Sequence, residues 1–489
     1  NDSTRMQASG GPITKDNTGV EVYCTIFAFA ESPLSPSVLW AGSDDGRIHR
    51  STDGGANWQD VTPALLPEWS LVSIIEPSHF DTATAYIAAT RYKSGDERPY
   101  LFKTTNYGAT WVAMNDGIPE GSFTRVIRED PARRGLLYCG TETGVFCSLD
   151  DGRSWQSLQF NLPVTPVHDI AVHTREGDLV IATHGRAFWI LDDLSPLRQF
   201  NTSLLNNPLE LWTPRHTYLL SNGSYASKTM DAGTNAPSGV QFTYWLRDSV
   251  KGELVLEIVD QRDSVIRSFS TAKTETGDER KINSETFEQQ VPRRSTSVLP
   301  SRKGMNHFAW DMSLRGVTKV RDAVYWGGGP GGISVAPGSY TARLRSGTTT
   351  VSRLFTIVKD PRCETSESDF ELQHDLGVRI VAKAELVNST INAIADITQQ
   401  ISAWEKRAKD AADSLTYARV KALATSINDS LGSIEKSLID RRAKAGQDAL
   451  NYPLKLNNKI LALKSSIFSA DAAPTRQATI VFDDLATRI

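Results

Sequence analysis

Ser51-Thr52-Asp53-Gly54-Gly55-Ala56-Asn57-Trp58 reads S-x-D-x-G-x-x-W, and the octet returns as Ser148-Leu149-Asp150-Asp151-Gly152-Arg153-Ser154-Trp155. A third copy, Thr104-Thr105-Asn106-Tyr107-Gly108-Ala109-Thr110-Trp111, carries Asn in place of the Asp. Trp58 and Trp111 are 53 residues apart, Trp111 and Trp155 44, a period that suits one four-stranded propeller blade per repeat. Within the octet, the Asp or Asn side chain is expected to bond backbone N–H groups two residues on, and Gly supplies positive φ. Trp is expected to return apolar mass to the blade core. Ser51, Asp53, Gly55 and Trp58, with Thr104, Asn106, Gly108 and Trp111 and with Ser148, Asp150, Gly152 and Trp155, are thus structural. Their chemistry is that of a hairpin turn, not of catalysis or metal binding.

A second phrase precedes each octet: Leu39-Trp40-Ala41-Gly42-Ser43, Tyr86-Ile87-Ala88-Ala89-Thr90 and Leu137-Tyr138-Cys139-Gly140-Thr141. A fourth copy, Val180-Ile181-Ala182-Thr183, leads to Phe188-Trp189-Ile190-Leu191 without an octet. These short apolar alternations are strand signals. Each blade therefore reads as strands A, B, C and D, with the octet at the C–D turn.

The octets resemble the Asp-box (BNR-type) repeats of sialidases, sortilin-like Vps10 domains and xyloglucanase-like glycoside hydrolases. The resemblance covers about residues 20–200. The stretches Thr141-Glu142-Thr143-Gly144-Val145-Phe146 and Ala182-Thr183-His184-Gly185-Arg186, the latter running on to Asp192-Asp193-Leu194-Ser195-Pro196-Leu197, look like large secreted bacterial proteins often labelled glycosyl hydrolases. Members of that group usually carry more blades N-terminal to the point where this chain begins. The resemblance implies the C-terminal portion of a larger propeller, and a secreted, periplasmic or cell-surface location. The expected partner is another chain, or a cleaved N-terminal portion, that completes the ring, because unpaired strand edges invite pairing.

Composition agrees with a globular protein of several domains: 489 residues, 39% hydrophobic and 22% charged. A formal net charge of -4 gives no reason to expect nucleic acid or an anionic membrane surface as partner. No apolar run approaches the roughly 20 residues that span a bilayer. The four cysteines lack zinc-ligand spacing, and neither a metal nor a cofactor is expected. Cys139 and Cys147 lie on strands B and C of one hairpin; a cross-strand disulfide and two small buried hydrophobes offset by one register are both open.

The expected fold is mainly β: blades over 1–207, an immunoglobulin-like β-sandwich over 208–360 and a helical bundle over 361–489. Strand signals in the sandwich include Val240–Leu246, Glu253–Val259, Ala336–Leu344 and Arg353–Val358. The motif Pro337-Gly338-x-Tyr340 resembles immunoglobulin-like modules of secreted bacterial proteins. Between about 271 and 304 the polar, aromatic-poor chain predicts a long mobile loop. Gly327-Gly328-Gly329-Pro330-Gly331-Gly332 lacks a phosphate loop's Lys-Ser/Thr and reads as a flexible connection. From about 368 the period is helical. One stripe runs from Leu376 to Trp404, a second from Val420 to Leu438 and a third from Leu456 to Ile467, begun near Pro453, with a short fourth helix from Pro474. The stripes are expected to pack on each other.

Function is sought on the blade face opposite the octets, where the B–C and D–A loops lie. Aligned at the Ser or Thr that ends strand B, four ionisable residues share one position: Asp44, Arg91, Glu142 and His184. Arg186 stands two residues beyond His184, and blade 2 carries the insertion Tyr92-Lys93-Ser94-Gly95-Asp96-Glu97-Arg98. The D–A connections add Glu68, Trp69, Arg125, His168 and Asp169. The set suggests a polar, aromatic-flanked cleft for a carbohydrate or polypeptide ligand, with carboxylates and Arg on hydroxyls or a chain terminus and Trp69 on a ring face. A solvated loop face with incidental salt bridges is the plainer reading.

The alternatives are a glycoside hydrolase acting on a polysaccharide and a purely structural assembly subunit. A hydrolase needs two carboxylates about 5–5.5 Å or about 6.5–9.5 Å apart, and Asp44 and Glu142 are the candidates. A sialidase would need an arginine triad, for which Arg91, Arg125 and Arg186 are available. No nucleophile elbow accompanies His168-Asp169.

Overall fold

A computed structural model describes residues 24–220, 233, 235–250, 252–272, 298–411 and 413–489. The chain is mainly β with a C-terminal helical region, and it divides into two compact units, 1–200 and 201–489.

The first unit is a row of antiparallel meanders. Blade 1 comprises β1 (Ile26–Ser32), β2 (Ser35–Ser43), β3 (Ile48–Ser51) and β4 (Gln59–Asp60). Blade 2 comprises β5 (Leu71–Pro77), β6 (Ala85–Arg91), β7 (Asp96–Thr104) and β8 (Val112–Ala113). Blade 3 comprises β9 (Thr124–Glu129), β10 (Leu137–Thr141), β11 (Val145–Ser148) and β12 (Gln156–Ser157). Blade 4 has three strands, β13 (Val167–His173), β14 (Asp178–Thr183) and β15 (Phe188–Leu191), followed by helix α1 (Ser195–Gln199). Each octet occupies the turn between the third and fourth strands, where the sequence placed it.

The octet works differently in detail from the expectation. The side chain of Asp53 accepts the N–H of Asn57, four residues on rather than two, at 2.9 Å, and Ser51 Oγ accepts the N–H of Gly55 at 2.9 Å. Asn106 with Thr110, and Asp150 with Ser154, repeat the first bond at 2.9 and 3.0 Å. The Asn57 N–H and side-chain amide, with the Ser51 hydroxyl, hold the Asp53 carboxyl down at about 2. Two successive positive φ angles, 65° at Asp151 and 83° at Gly152, let the chain double back under these bonds.

Apolar cores lie between successive blades, so blades 2 and 3 are each sandwiched by two neighbours. Trp40 and Ile48 of blade 1 pack with Val72, Ile87 and Phe102 of blade 2. Ala88 and Leu101 of blade 2 pack with Cys139, Phe146 and Trp155 of blade 3. Tyr138 and Cys147 of blade 3 pack with Ile170 and Ile181 of blade 4. The glycine of the repeated phrase is a close-approach position: a Cβ at Gly42 would stand 2.5 Å from Val72 Cγ1, and one at Gly140 2.6 Å from Val167 Cγ1. Cys139 pairs with Phe146, and Cys147 with Tyr138, so the two thiols sit in different cores and are free. Burial raises the Cys147 thiol to about 11.

Trp is not uniformly a core residue. Trp155 is 3% exposed, whereas Trp58, at the same position in blade 1, is 41% exposed. The difference arises because this side chain faces the preceding blade, not its own.

In the second unit, a three-stranded sheet and a five-stranded sheet enclose one core containing Phe242, Tyr244, Trp310, Tyr340 and Phe355. The first joins β16 (Leu209–Leu211), β18 (Val240–Leu246) and β21 (Gly304–Trp310). The second runs β17 (Thr217–Leu219), β23 (Thr349–Lys359), β22 (Gly338–Ser346), β19 (Leu254–Val259) and β20 (Val265–Ser270). Residues 273–297 of the expected mobile loop lie outside the described residues.

The helices are α2 (Glu367–Ala411), α3 (Ser414–Leu438), α4 (Leu456–Ile467) and α5 (Arg476–Arg488). Leu376, Ile380, Val387, Ile391 and Ile394 of α2 are buried with Ile460, Ile467 and Phe482. Beyond Ile394 the stripe opens: Trp404 of α2 and Leu423, Ile427 and Ile434 of α3 are exposed. Pro453 precedes α4 rather than opening it, the N-cap being Lys455. The glycine run is packed, not a free connection. A Cβ at Gly328 would lie 2.1 Å from the Leu461 carbonyl, and the buried Lys464 ammonium donates to the Gly329 carbonyl at 2.7 Å and to that of Gly331. No helix of the described residues is long and apolar enough to cross a membrane.

Candidate functional site

The loop face is built on a repeated backbone bond. The residue after the Ser or Thr that ends the second strand donates its N–H to the residue that precedes the first strand's core of the same blade. Asp44 donates to Thr25 at 3.1 Å, Glu142 to Phe123 at 3.0 Å and His184 to Pro166 at 2.9 Å. Ser43, Thr141 and Thr183 close the turns beneath, their hydroxyls bonding the carbonyls of Arg47, Gly144 and Ala187.

Blade 2 departs from the sequence alignment by one residue. Ser43, Thr141 and Thr183 pair with Ile26, Thr124 and Val167, each next to a bulge in the first strand; in blade 2 the residue so paired is Ala89, with Val72. Thr90, not Arg91, therefore shares the position of Asp44, Glu142 and His184. Its hydroxyl is buried and makes no hydrogen bond among the described residues. Arg91 prolongs the strand and pairs with Asp96 across the inserted turn Tyr92–Ser94.

From these anchors a continuous polar and aromatic strip crosses the blades. The Asp44 carboxylate accepts the N–H groups of Cys24 and Thr25 at 2.9 and 3.0 Å, and burial nevertheless raises its pKa. Trp69, at φ 63°, is half-buried and donates its backbone N–H to the Asp45 carbonyl at 3.0 Å. Next to it, the Glu68 carbonyl accepts Arg91 Nε at 3.1 Å. Asp96 takes Arg98 at 2.7 Å and the Tyr100 hydroxyl at 2.7 Å, and this pairing, led by Arg98, holds its carboxyl well below the usual range.

Tyr92 stacks on Phe123 with ring centroids 4.9 Å apart and planes 10° from parallel. The Arg125 guanidinium lies over both rings, 5.4 Å from the first and 4.9 Å from the second. Its Nε and Nη2 converge on Glu142 Oε2 at 2.7 and 2.5 Å. Beyond this pair the rings of His168 and His184 stand 4.9 Å apart. Although His168 is exposed, partial desolvation lowers its pKa, and the charges of Arg125 and His184 lower it further while Glu142 opposes them. Arg186 is exposed at the end of the strip.

Arg91, Arg125, Glu142, His168 and His184 thus form one shelf, with Trp69 and Asp44 joined to it through Glu68. Asp169 is elsewhere. It accepts Arg128 Nη2 at 2.8 Å, and Arg128 Nη1 reaches Glu76 at 3.1 Å. That network belongs to the first strands, beside a cavity of about 380 Å³ lined by Phe27, Phe29, Glu76, His79 and Arg128. Tyr92 and Phe123, which set the shelf's shape, were not singled out from sequence. Their signal was an aromatic in the inserted loop and another just before a first strand.

No protein-family model and no curated protein matches the sequence. Among solved structures, the chain is similar to YCF48 bound to a D1 peptide, at 19% identity and a TM-score of 0.28, over 34% of this chain and 52% of that one. It is also similar to the GH74 xyloglucanase from Xanthomonas campestris, at 12% identity and a TM-score of 0.28, over 67% of this chain and 45% of the other. A third is the extracellular domain of a putative hybrid two-component system from B. thetaiotaomicron, at 13% identity and a TM-score of 0.27, over 71% and 40% of the two chains. The chain thus spans about half or less of the length of each.

Proposed function

We propose that this chain is part of a secreted Asp-box β-propeller that binds a carbohydrate or polypeptide ligand on the shelf formed by its B–C and D–A loops. The immunoglobulin-like sandwich and the helices act as assembly modules. The observation that carries this reading is the stacked pair Tyr92 and Phe123 under Arg125, itself held by Glu142. The half-exposed Tyr92 ring, backed by the buried Phe123 and edged by a fixed guanidinium and two imidazoles, supplies stacking area, charged donors and acceptors at low ordering cost. Sugar rings and peptide termini both match that chemistry.

The hydrolase reading has less support. The Asp44 carboxylate is engaged by two backbone N–H groups, the Glu142 carboxylate by Arg125, and the two stand in non-adjacent blades. Arg91 and Arg125 are likewise committed to carboxylates of their own blades rather than free to clamp an anion together. Screening the protein against a glycan array and a peptide array tests the proposal. A binder whose affinity falls in Tyr92→Ala and Arg125→Ala supports it, and a binder unaffected by both refutes the shelf.

A further inference from the structure

Several charged groups of the shelf are already spent. Asp44 is held by the N–H groups of Cys24 and Thr25, Arg91 and Arg98 share Asp96, and Arg125 is held by Glu142. The turn of blade 4 differs. It carries His184 and Arg186, and the ring of His168 on β13 stands 4.9 Å from that of His184. All three side chains are exposed, and neither the imidazoles nor the Arg186 guanidinium makes a hydrogen bond or ion pair among the described residues. The turn itself is fixed: Thr183 Oγ1 accepts the Arg186 N–H at 3.1 Å, and the Arg186 carbonyl accepts the Trp189 indole N–H at 2.9 Å. Facing His168 are Arg125 from β9, Glu142 from the turn after β10 and His184 from the turn after β14. Glu142, the carboxylate of that set, is already engaged by Arg125. Two imidazoles in ring contact repel when both are protonated, and an anion seated against both relieves the repulsion.

The groups left over also narrow the class of ligand. Peptides are commonly taken through backbone hydrogen bonds or side-chain pockets. Here the backbone N–H groups at the turns are in use, Glu142 donating to Phe123, His184 to Pro166 and Arg186 to Thr183. What remains is the half-exposed Tyr92 ring, which offers stacking area to a pyranose, and the two imidazoles with Arg186, which suit a carboxylate or sulfate. We infer that the ligand of the shelf is an acidic glycan, whose carboxylate or sulfate seats against His168, His184 and Arg186 and whose binding tightens as the pH falls. Resting on the shelf as the ligand site, this assignment fixes the ligand's charge and the direction of its pH dependence.

Calorimetric titration of the full chain with tetragalacturonate, a sulfated galactotetraose, the methyl ester of tetragalacturonate and a tetraglutamate peptide tests it. From about pH 7.5 to about pH 5.5 a carboxylate with a pKa of roughly 4 stays ionised, while imidazole gains its proton. Affinity for tetragalacturonate or the sulfated sugar is expected to rise roughly tenfold over that interval, with protons taken up on binding, as charged donors replace neutral ones. The ester should bind weakly at both ends. His168→Gln and His184→Gln together should keep the melting temperature at neutral pH, since both rings are exposed, and should abolish the pH dependence. An affinity indifferent to pH, an ester that binds as well as the acid, tighter binding of tetraglutamate, or no binding of either acidic sugar would overturn the inference. An acidic sugar whose binding ignores Tyr92→Ala and Arg125→Ala overturns the shelf itself. A neutral sugar or a peptide that needs Tyr92 and Arg125 sustains the shelf and overturns the acidic glycan alone.

Discussion

The indole N–H of Trp155 donates to the carbonyl of Met114 in the preceding blade, 2.7 Å away. The tryptophan that closes an octet is therefore a pin between blades. Replacing Trp155 by Ala removes a buried ring and its bond and should cost about 3–5 kcal/mol. The same change at Trp58, exposed and bonded within its own turn, should cost less than about 1 kcal/mol. Denaturant unfolding of the two variants checks this, and equal losses would mean that Trp58 is also covered in the isolated protein.

Gly140 has no room for a methyl group. A Cβ there would stand 2.6 Å from both Val126 Cγ1 and Val167 Cγ1 and 2.8 Å from the Val167 carbonyl. Gly140→Ala should destabilise by about 1–3 kcal/mol through overpacking, read as a lowered melting temperature. An unchanged melting temperature would show that the blades can slide apart at no cost.

The shelf should be separable from the fold. Tyr92 is 39% exposed, and the half-buried Arg125 is paired with Glu142. Tyr92→Ala and Arg125→Ala should each weaken ligand affinity roughly tenfold or more, the scale of a charge-assisted hydrogen bond or a stacked ring. Their melting temperatures should move by a few degrees at most. Calorimetric titration beside thermal unfolding distinguishes this from a merely structural role.

His168 should make the shelf sensitive to acid. Partial desolvation, then Arg125 and His184, place its pKa below the ordinary value of 6.5. The folded protein then binds fewer protons than the unfolded chain, so the stability it contributes is lost as pH falls from 6.5 through the folded value. A proton NMR titration should give a His168 midpoint below 6.5, and a lower one still in Glu142→Gln, which removes the opposing carboxylate. A midpoint above the ordinary value would contradict the placement of Arg125.

The octets and the Gly-ended phrases were legible because each needs a particular residue for a local reason: an Asx-type turn, a positive φ, a close approach. What lay between blades was not. Trp58 and Trp155 share the octet pattern and differ in whether a blade among the described residues stands in front of them. Arg91 was aligned one residue out because Ala85–Ala89 are buried on both faces, which erases the alternation that would have fixed the register. The shelf's charged residues could be named from loop position, but Tyr92 and Phe123 meet only through the fold. Lys464 and the glycine run are 132 or more residues apart and gave no local sign of their contact.

The central claim is that the loop face, not the octet face or the inner strands, holds the ligand. Hydrogen–deuterium exchange of the protein with the strongest binder from the arrays measures this directly. The account predicts new protection over residues 91–98, 122–125, 142–143 and 184–186. Protection confined to the octets, or to the inner strands around Glu76 and Arg128, would contradict it.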